Sequence, residues 1–174
     1  MAIDPLVKPF LNLPLFNGLR PLQLTEIVRR ADRIVYRAGD TIISEDQVGD
    51  AAIVIVSGEA VRTSTLEPGA AAETIPEGSM IGELAMLVEI VHSSTVVARG
   101  SVKALRLTRE EMQTQMTEDP KLAEHFSERI GDRLGQFLSD LQGVDDVLAR
   151  SFADDMIGHL PVKEAQQGHS VAVH

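Results

Sequence analysis

The chain has 174 residues and a formal charge of −10, with 44% hydrophobic and 3% aromatic residues. Zero cysteines exclude disulfides, thiolate zinc sites, iron–sulfur clusters and cysteine nucleophiles. An acidic chain with no visible basic patch is a poor match for nucleic-acid phosphates, and no window reaches the roughly 18 uninterrupted apolar residues of a membrane span.

Residues 1–33 read as a helical preface. Leu15 to Leu19 form a turn, and Pro21 suits a first helical position before Leu24, Ile27 and Val28 share one face. Nothing in MAIDPLVKPFLNL resembles a cleavable leader, so the expected location is cytoplasmic.

The texture changes at 34. Short runs rich in Val, Ile and Thr recur at 33–36, 41–43, 52–56, 60–63, 95–98 and 102–107. Between them stand turn signals such as Ala38-Gly39-Asp40, Val48-Gly49-Asp50, Ser57-Gly58-Glu59 and Pro76-Glu77-Gly78. Evenly spaced short strands with Gly and Asp turns predict a mainly β, α+β chain: an antiparallel jelly-roll barrel over 34–118, flanked by N-terminal helices and a long C-terminal helix. Within this stretch Gly82-Glu83-Leu84-Ala85-Met86-Leu87 reads as one helical turn inside a loop.

The helical period returns at 108, where Thr108 precedes Glu110 and Glu111 as a helix start. A second helix, 119–150, opens at Asp119-Pro120. Its apolar stripe includes Leu122, Phe126, Ile130, Leu134, Leu138, Leu141 and Leu148. So long a stripe exceeds what one small barrel covers, which predicts a homodimer through Phe126, Ile130, Leu134, Leu138 and Leu141 unless the N-terminal helices cover it. Residues 151–174 form a tail in which Phe152, Met156, Ile157 and Leu160 share a short amphipathic pattern.

Over roughly 10–150 the order of these pieces resembles the cyclic nucleotide-binding domain family of catabolite-activator-type regulators, kinase regulatory subunits and gated channels. The likeness is carried by Gly39, Gly49-Asp50 and Gly58, and by Gly78, Gly82-Glu83-Leu84-Ala85 and Ser93-Ser94-Thr95-Val96. It implies a phosphate-binding cassette in which Ile81, Gly82, Glu83, Leu84 and Ala85 face His92, Ser93, Ser94 and Thr95. Glu83 would accept a hydrogen bond from a ribose hydroxyl, and Ser94 or Thr95 would bond base or phosphate. The expected ligand is a cyclic nucleotide, cAMP or cGMP, or a related small anion.

Three departures stand out. The family's Pro-Arg pair is here Val91-His92, and no Arg or Lys lies between Met80 and Ala98. A neutral imidazole has one donor where a guanidinium has five. The lost charge-assisted bond costs roughly 1.5–3 kcal/mol, about ten- to a hundred-fold in affinity. His92 therefore reads either as a replacement phosphate donor or as a surface residue with no role. The family's Gly after Glu45 is Asp46. Regulators of the catabolite-activator type continue into a winged helix-turn-helix, whereas 151–174 is shorter than the roughly 33 residues of three average helices. No DNA-binding domain is expected.

Three functional classes follow: a ligand-sensing regulatory module signalling through its long helix, a degenerate member acting as a dimerisation or docking protein for an unknown partner, and an enzyme. The last is disfavoured, since His92, His125, His159, His169 and His174 show no metal-protease spacing and neither a Gly-x-Ser-x-Gly nor a Walker loop is present. No catalytic residue, metal or certain cofactor is expected.

Overall fold

The computed structural model describes residues 5–65, 69, 71–133 and 135. The chain divides into two compact units, Met1–Arg129 and Ile130–His174. In the second, 130–133 and 135 are helical, and its other residues lie outside the described set.

Helix α1 (Lys8–Leu11) and a 3-10 turn at Pro14–Phe16 precede α2 (Pro21–Arg30). Pro21 starts α2, and the Gln23 side chain accepts from the Arg20 backbone N–H at 3.0 Å. Ten strands follow: β1 (Asp32–Tyr36), β2 (Thr41–Ile43), β3 (Val48–Gly49), β4 (Ala51–Ser57), β5 (Ala60–Thr63), β6 (Glu73–Ile75), β7 (Met80–Ile81), β8 (Ile90–Val91), β9 (Thr95–Ala98) and β10 (Val102–Thr108). A 3-10 helix, Glu83–Met86, interrupts them. Helix α3 (Arg109–Glu118) starts at Thr108, whose hydroxyl accepts from the Glu111 N–H at 3.2 Å. A fourth helical stretch, α4, begins at 120 and runs to the end of this unit at 129.

The six strands expected from β-branched runs are present. Strands β3, β6, β7 and β8 were not expected: β3, β7 and β8 have only two residues each, too short to show a period, and β6, as short as β2, lacks its wholly β-branched composition. All pairings are antiparallel, in sheets ordered β1-β10-β4-β7 and β2-β9-β5-β6, with β3 and β8 as a separate ribbon. Side chains from both sheets meet in one core: Ile53 and Ile55 from β4, Ile81 from β7, Val96 from β9, Val102 and Ala104 from β10. This is the expected jelly roll.

Strands β4 and β10 are buried on both faces. Val54, Leu105 and Leu107 alternate with the inter-sheet residues and are equally buried, because α1 packs on β4 while α2 and α3 pack on β10. Burying side chains of this size stabilises by roughly 1.5–3 kcal/mol each.

The N-terminal helices also cover the start of the long stripe. Phe126 is 1% exposed and stands edge-on to Phe16 at 5.9 Å, which stands edge-on to Phe10 at 5.1 Å. Phe126 was expected at a dimer face. Its ring is instead enclosed within its own unit, as is Leu122. His125 joins the same contact region, its Nε2 lying 2.9 Å from the Leu15 carbonyl oxygen. Ile130 is half-buried in the second unit; Leu134, Leu138 and Leu141 lie outside the described residues, as do the tail positions Phe152, Met156, Ile157 and Leu160.

Between α3 and α4 the backbone of Asp119 is extended, with φ −125° and ψ 96°. Its carboxylate accepts from Gln23 Nε2 at 2.7 Å and from the Lys121 and Leu122 N–H groups at 3.0 and 3.4 Å. The Gln23 bond first, then those N–H groups and Arg20, hold this carboxyl below its ordinary value of 3.8. Arg30 ties α2 to α3 through Glu118 at 2.7 Å and Glu111 at 3.1 Å.

Candidate ligand-binding cassette

Strand β7 brings the chain to Gly82, whose φ of 64° lies in the left-handed region that Gly enters without a Cβ penalty. The following 3-10 turn closes through Ala85 N–H to Gly82 C=O and Leu87 N–H to Leu84 C=O, both 2.9 Å. Ile81 and Ala85 are buried and pack into the core with Met86 and Leu87, so their side chains hold the turn in place. Gly82, Glu83 and Leu84 are half-buried at its rim.

Strand β8 brings in the second half. Its pairing with β3 sets Val48 opposite Val91 and Gly49 opposite Ile90. His92 continues the ladder, donating its N–H to Gln47 C=O and accepting from Asp46 N–H, both 2.9 Å. Asp46 has φ 63° and is the one non-glycine described residue with positive φ. Asp tolerates this conformation better than most residues, which accounts for its presence where the family has Gly.

The His92 imidazole folds inward rather than into solvent. It is 9% exposed, so it is not an idle surface residue. A Cβ placed on Gly49 would come 2.7 Å from its Nε2, and one on Gly82 would come 3.2 Å from its Cε1. The ring thus lies beside two glycines from separate elements, and the Ala85 side chain is also next to Gly49. Gly82, Ala85 and His92, grouped from the sequence, are together in space.

In the bend after His92, Ser93 is exposed and Ser94 half-buried, and Thr95, which opens β9, is half-buried. Thr95 Oγ1 accepts the Glu45 N–H at 3.0 Å. The Glu45 carboxylate accepts the Ser64 hydroxyl at 3.1 Å and the Thr65 N–H at 3.1 and 3.2 Å. Ser64 Oγ also lies 2.9 Å from the Ser93 carbonyl oxygen. The segment after β5 is therefore tied through Glu45 and Ser64 to Ser93 and to Thr95 at the start of β9. Neither residue was singled out in the sequence, where about 20 or more positions separate them from their partners.

Arg109 was missed for the same reason. Its Nη1 donates to Gly49 C=O at 3.0 Å and Val88 C=O at 3.1 Å, with Ala85 C=O at 3.4 Å. Its own N–H donates to Asp50 C=O at 2.7 Å. One residue thus joins β3, the end of the 3-10 turn and the first turn of α3. Arginines of neighbouring strands have carboxylate partners: Arg106 with Asp50 at 2.6 Å and Arg62 with Glu73 at 2.9 Å. Among the described residues no group of His, Asp or Glu is arranged to hold a metal ion, and no helix is long and apolar enough to cross a membrane. The described contacts gather Gly49, Gly82, Ala85 and His92 in one place, and Thr95, Ser64 and Thr65 around Glu45.

Comparison with known proteins identifies the family and the fold. The family described as "Cyclic nucleotide-binding domain" matches residues 33–119. The chain is 37% identical over 99 residues to a cAMP-dependent protein kinase regulatory subunit of Aspergillus fumigatus, covering 57% of this chain and 24% of that protein. It is 27% identical over 158 residues to the cyclic AMP receptor protein of Thermus thermophilus, covering 89% of this chain and 71% of that one. The chain therefore spans about a quarter of the kinase regulatory subunit it matches. The crystal structure of the Thermus thermophilus catabolite activator protein superposes with a TM-score of 0.60 at 25% identity, over 76% of this chain and 63% of that one. The N-terminal domain of a transcriptional regulator from Streptomyces coelicolor shares the fold, with a TM-score of 0.66 at 24% identity over 76% of this chain and 94% of that one.

Proposed function

Because the chain belongs to the cyclic nucleotide-binding domain family, we propose that it is a regulatory module that binds cAMP, cGMP or a related small anion at Gly82–Ala85 and His92–Thr95. The observation that carries this reading is the convergence of the left-handed Gly82, the buried Ala85 and the inward-folded His92 from separate elements. The Thermus relative's name, a cyclic AMP receptor, points the same way. With imidazole in place of guanidinium, the expected affinity is about ten- to a hundred-fold below that of an arginine-bearing pocket. Isothermal titration with cAMP and cGMP tests the reading. Absence of binding at ligand concentrations near about 1 mM, a free energy of only about −4 kcal/mol, refutes it.

The signal leaves the pocket through Arg109 into α3 and onward to the long helix, where Ile130, Leu134, Leu138 and Leu141 form the homodimer face. Sedimentation of the Leu134→Asp, Leu141→Asp double variant is the test: a dimeric wild type and a monomeric variant support the face, and two monomers refute it.

A second reading is favoured by His92 itself. The fold would then serve dimerisation or docking of a protein partner without nucleotide, and the same titration separates the two.

A further inference from the structure

Successive side chains of a strand point to opposite sides, and the β3–β8 ribbon uses its two sides differently. Gly49 of β3 lies against the His92 ring just past β8, and both residues are buried. Val48 and Val91, one position back on each strand, are register partners and share the opposite face, where they are 57% and 59% exposed. Val88 stands beside them, because one nitrogen, Arg109 Nη1, reaches the carbonyl oxygens of both Gly49 and Val88, at 3.0 and 3.1 Å. Three of the six exposed large hydrophobic side chains among the described residues gather here. The charges around them are mostly carboxylates. Asp46 lies two residues before Val48, and Glu110 follows Arg109 in the first turn of α3; no described ion pair engages either. Asp50 shares Arg106 with Asp32, at 2.6 and 3.4 Å, and Glu89 is 3.9 Å from Arg109. Asp50 and Glu89 are the exposed members of these pairs, while both guanidiniums are largely covered. A second copy of the chain is a poor occupant, since two such patches face to face would set like charges against each other. We propose that the outer face of this ribbon docks a basic protein segment bearing aliphatic side chains, which cover Val48, Val88 and Val91 while its Lys and Arg residues meet Asp46, Asp50, Glu89 and Glu110. The docking face is the side of the ribbon away from His92, so the inference holds with or without a nucleotide in the cassette.

Fluorescence anisotropy of the full chain with three labelled peptides tests this: Lys-Val-Arg-Val-Lys-Val-Arg, the same peptide with Ser for every Val, and the same peptide with Glu for every Lys and Arg. The first should bind at least about tenfold more tightly than either of the others, and weaken at least about threefold between about 50 and 500 mM NaCl. The Val48→Thr, Val91→Thr double variant keeps the side-chain shapes and adds hydroxyls, and should lose about fivefold or more in affinity for the first peptide. Glu89→Lys should lose about threefold or more. An acidic or Ser peptide that binds as tightly as the first overturns the inference, as does failure of the first to bind at about 1 mM. A double variant that melts like the wild type and binds the first peptide unchanged also overturns it. A double variant that sediments as a smaller species than the wild type assigns the face to a second copy and overturns the basic partner. Should that variant not fold, Glu89→Lys and the wild-type peptide comparison decide. Failure of cAMP and cGMP to bind, which refutes the nucleotide reading of the cassette, leaves these outcomes unchanged.

Discussion

Replacing Gly49 by Ala tests whether the His92 ring occupies the space assigned to it. Gly49 does not have a positive φ, so alanine meets no backbone penalty there. The obstacle is steric: the new Cβ would stand 2.7 Å from His92 Nε2, 2.8 Å from His92 Cε1 and 2.8 Å from Ala85 Cβ. Overpacking of this kind costs about 1–3 kcal/mol. Taking about 2 kcal/mol, and about 2–4 °C per kcal/mol for a chain of this size, Tm should fall by about 4–8 °C. Gly39→Ala is the contrasting control, since Gly39 has φ +88° and nothing within 4 Å of the added atom. It reports backbone strain alone, about 1–2 kcal/mol. The decisive measurement is a double-mutant cycle by urea denaturation with Gly49→Ala, His92→Ala and both together. Removing the imidazole relieves the clash with His92 but not the one with Ala85, so the two changes should couple favourably by about 0.5–1.5 kcal/mol. Strict additivity would show that the ring lies elsewhere, and the geometry of the cassette argued above would fall with it.

Arg109→Met removes the donor shared by the Gly49 and Val88 carbonyls. The guanidinium is only 21% exposed, so the loss should be about 1.5–3 kcal/mol by chemical denaturation, with Arg109→Lys losing less because an ammonium keeps part of the donor capacity; unchanged stability would refute the bracing role. At Asp119 the folded carboxyl titrates below its ordinary value, so its contribution is present above about pH 4 and is lost as pH falls through the depressed value. Asp119→Asn should therefore flatten the decline in stability between about pH 5 and 3; an unaltered acid limb would show that this carboxylate has no part in it.

The jelly roll was readable because β-branched residues cluster in short runs such as 52–56 and 95–98, and the glycine turns between them are chemically distinctive. The cassette was readable through Gly-Glu-Leu-Ala, a local string. What escaped were strands of two or three residues and contacts between distant parts of the chain. Val48-Gly49 looks like a turn until Ile90-Val91 is laid beside it. Glu45, Ser64 and Arg109 carry no local signature, since an ordinary surface residue and a brace across 20 to 60 positions are spelled alike. Phe126 was misplaced for a related reason: periodicity marks a face as apolar without saying what covers it, and here Phe16 does.

The Arg109 guanidinium also bears on how this region opens. Its acceptors belong to the ribbon and to the end of the 3-10 turn, while its own backbone starts α3. None of these three segments can separate from the others without stranding part of the same donor group. Local unfolding here is therefore a joint event: the amides of Leu87, Val88 and the first full turn of α3 should exchange with deuterium at one common free energy of opening, as a single cooperative unit drawn from three places in the chain.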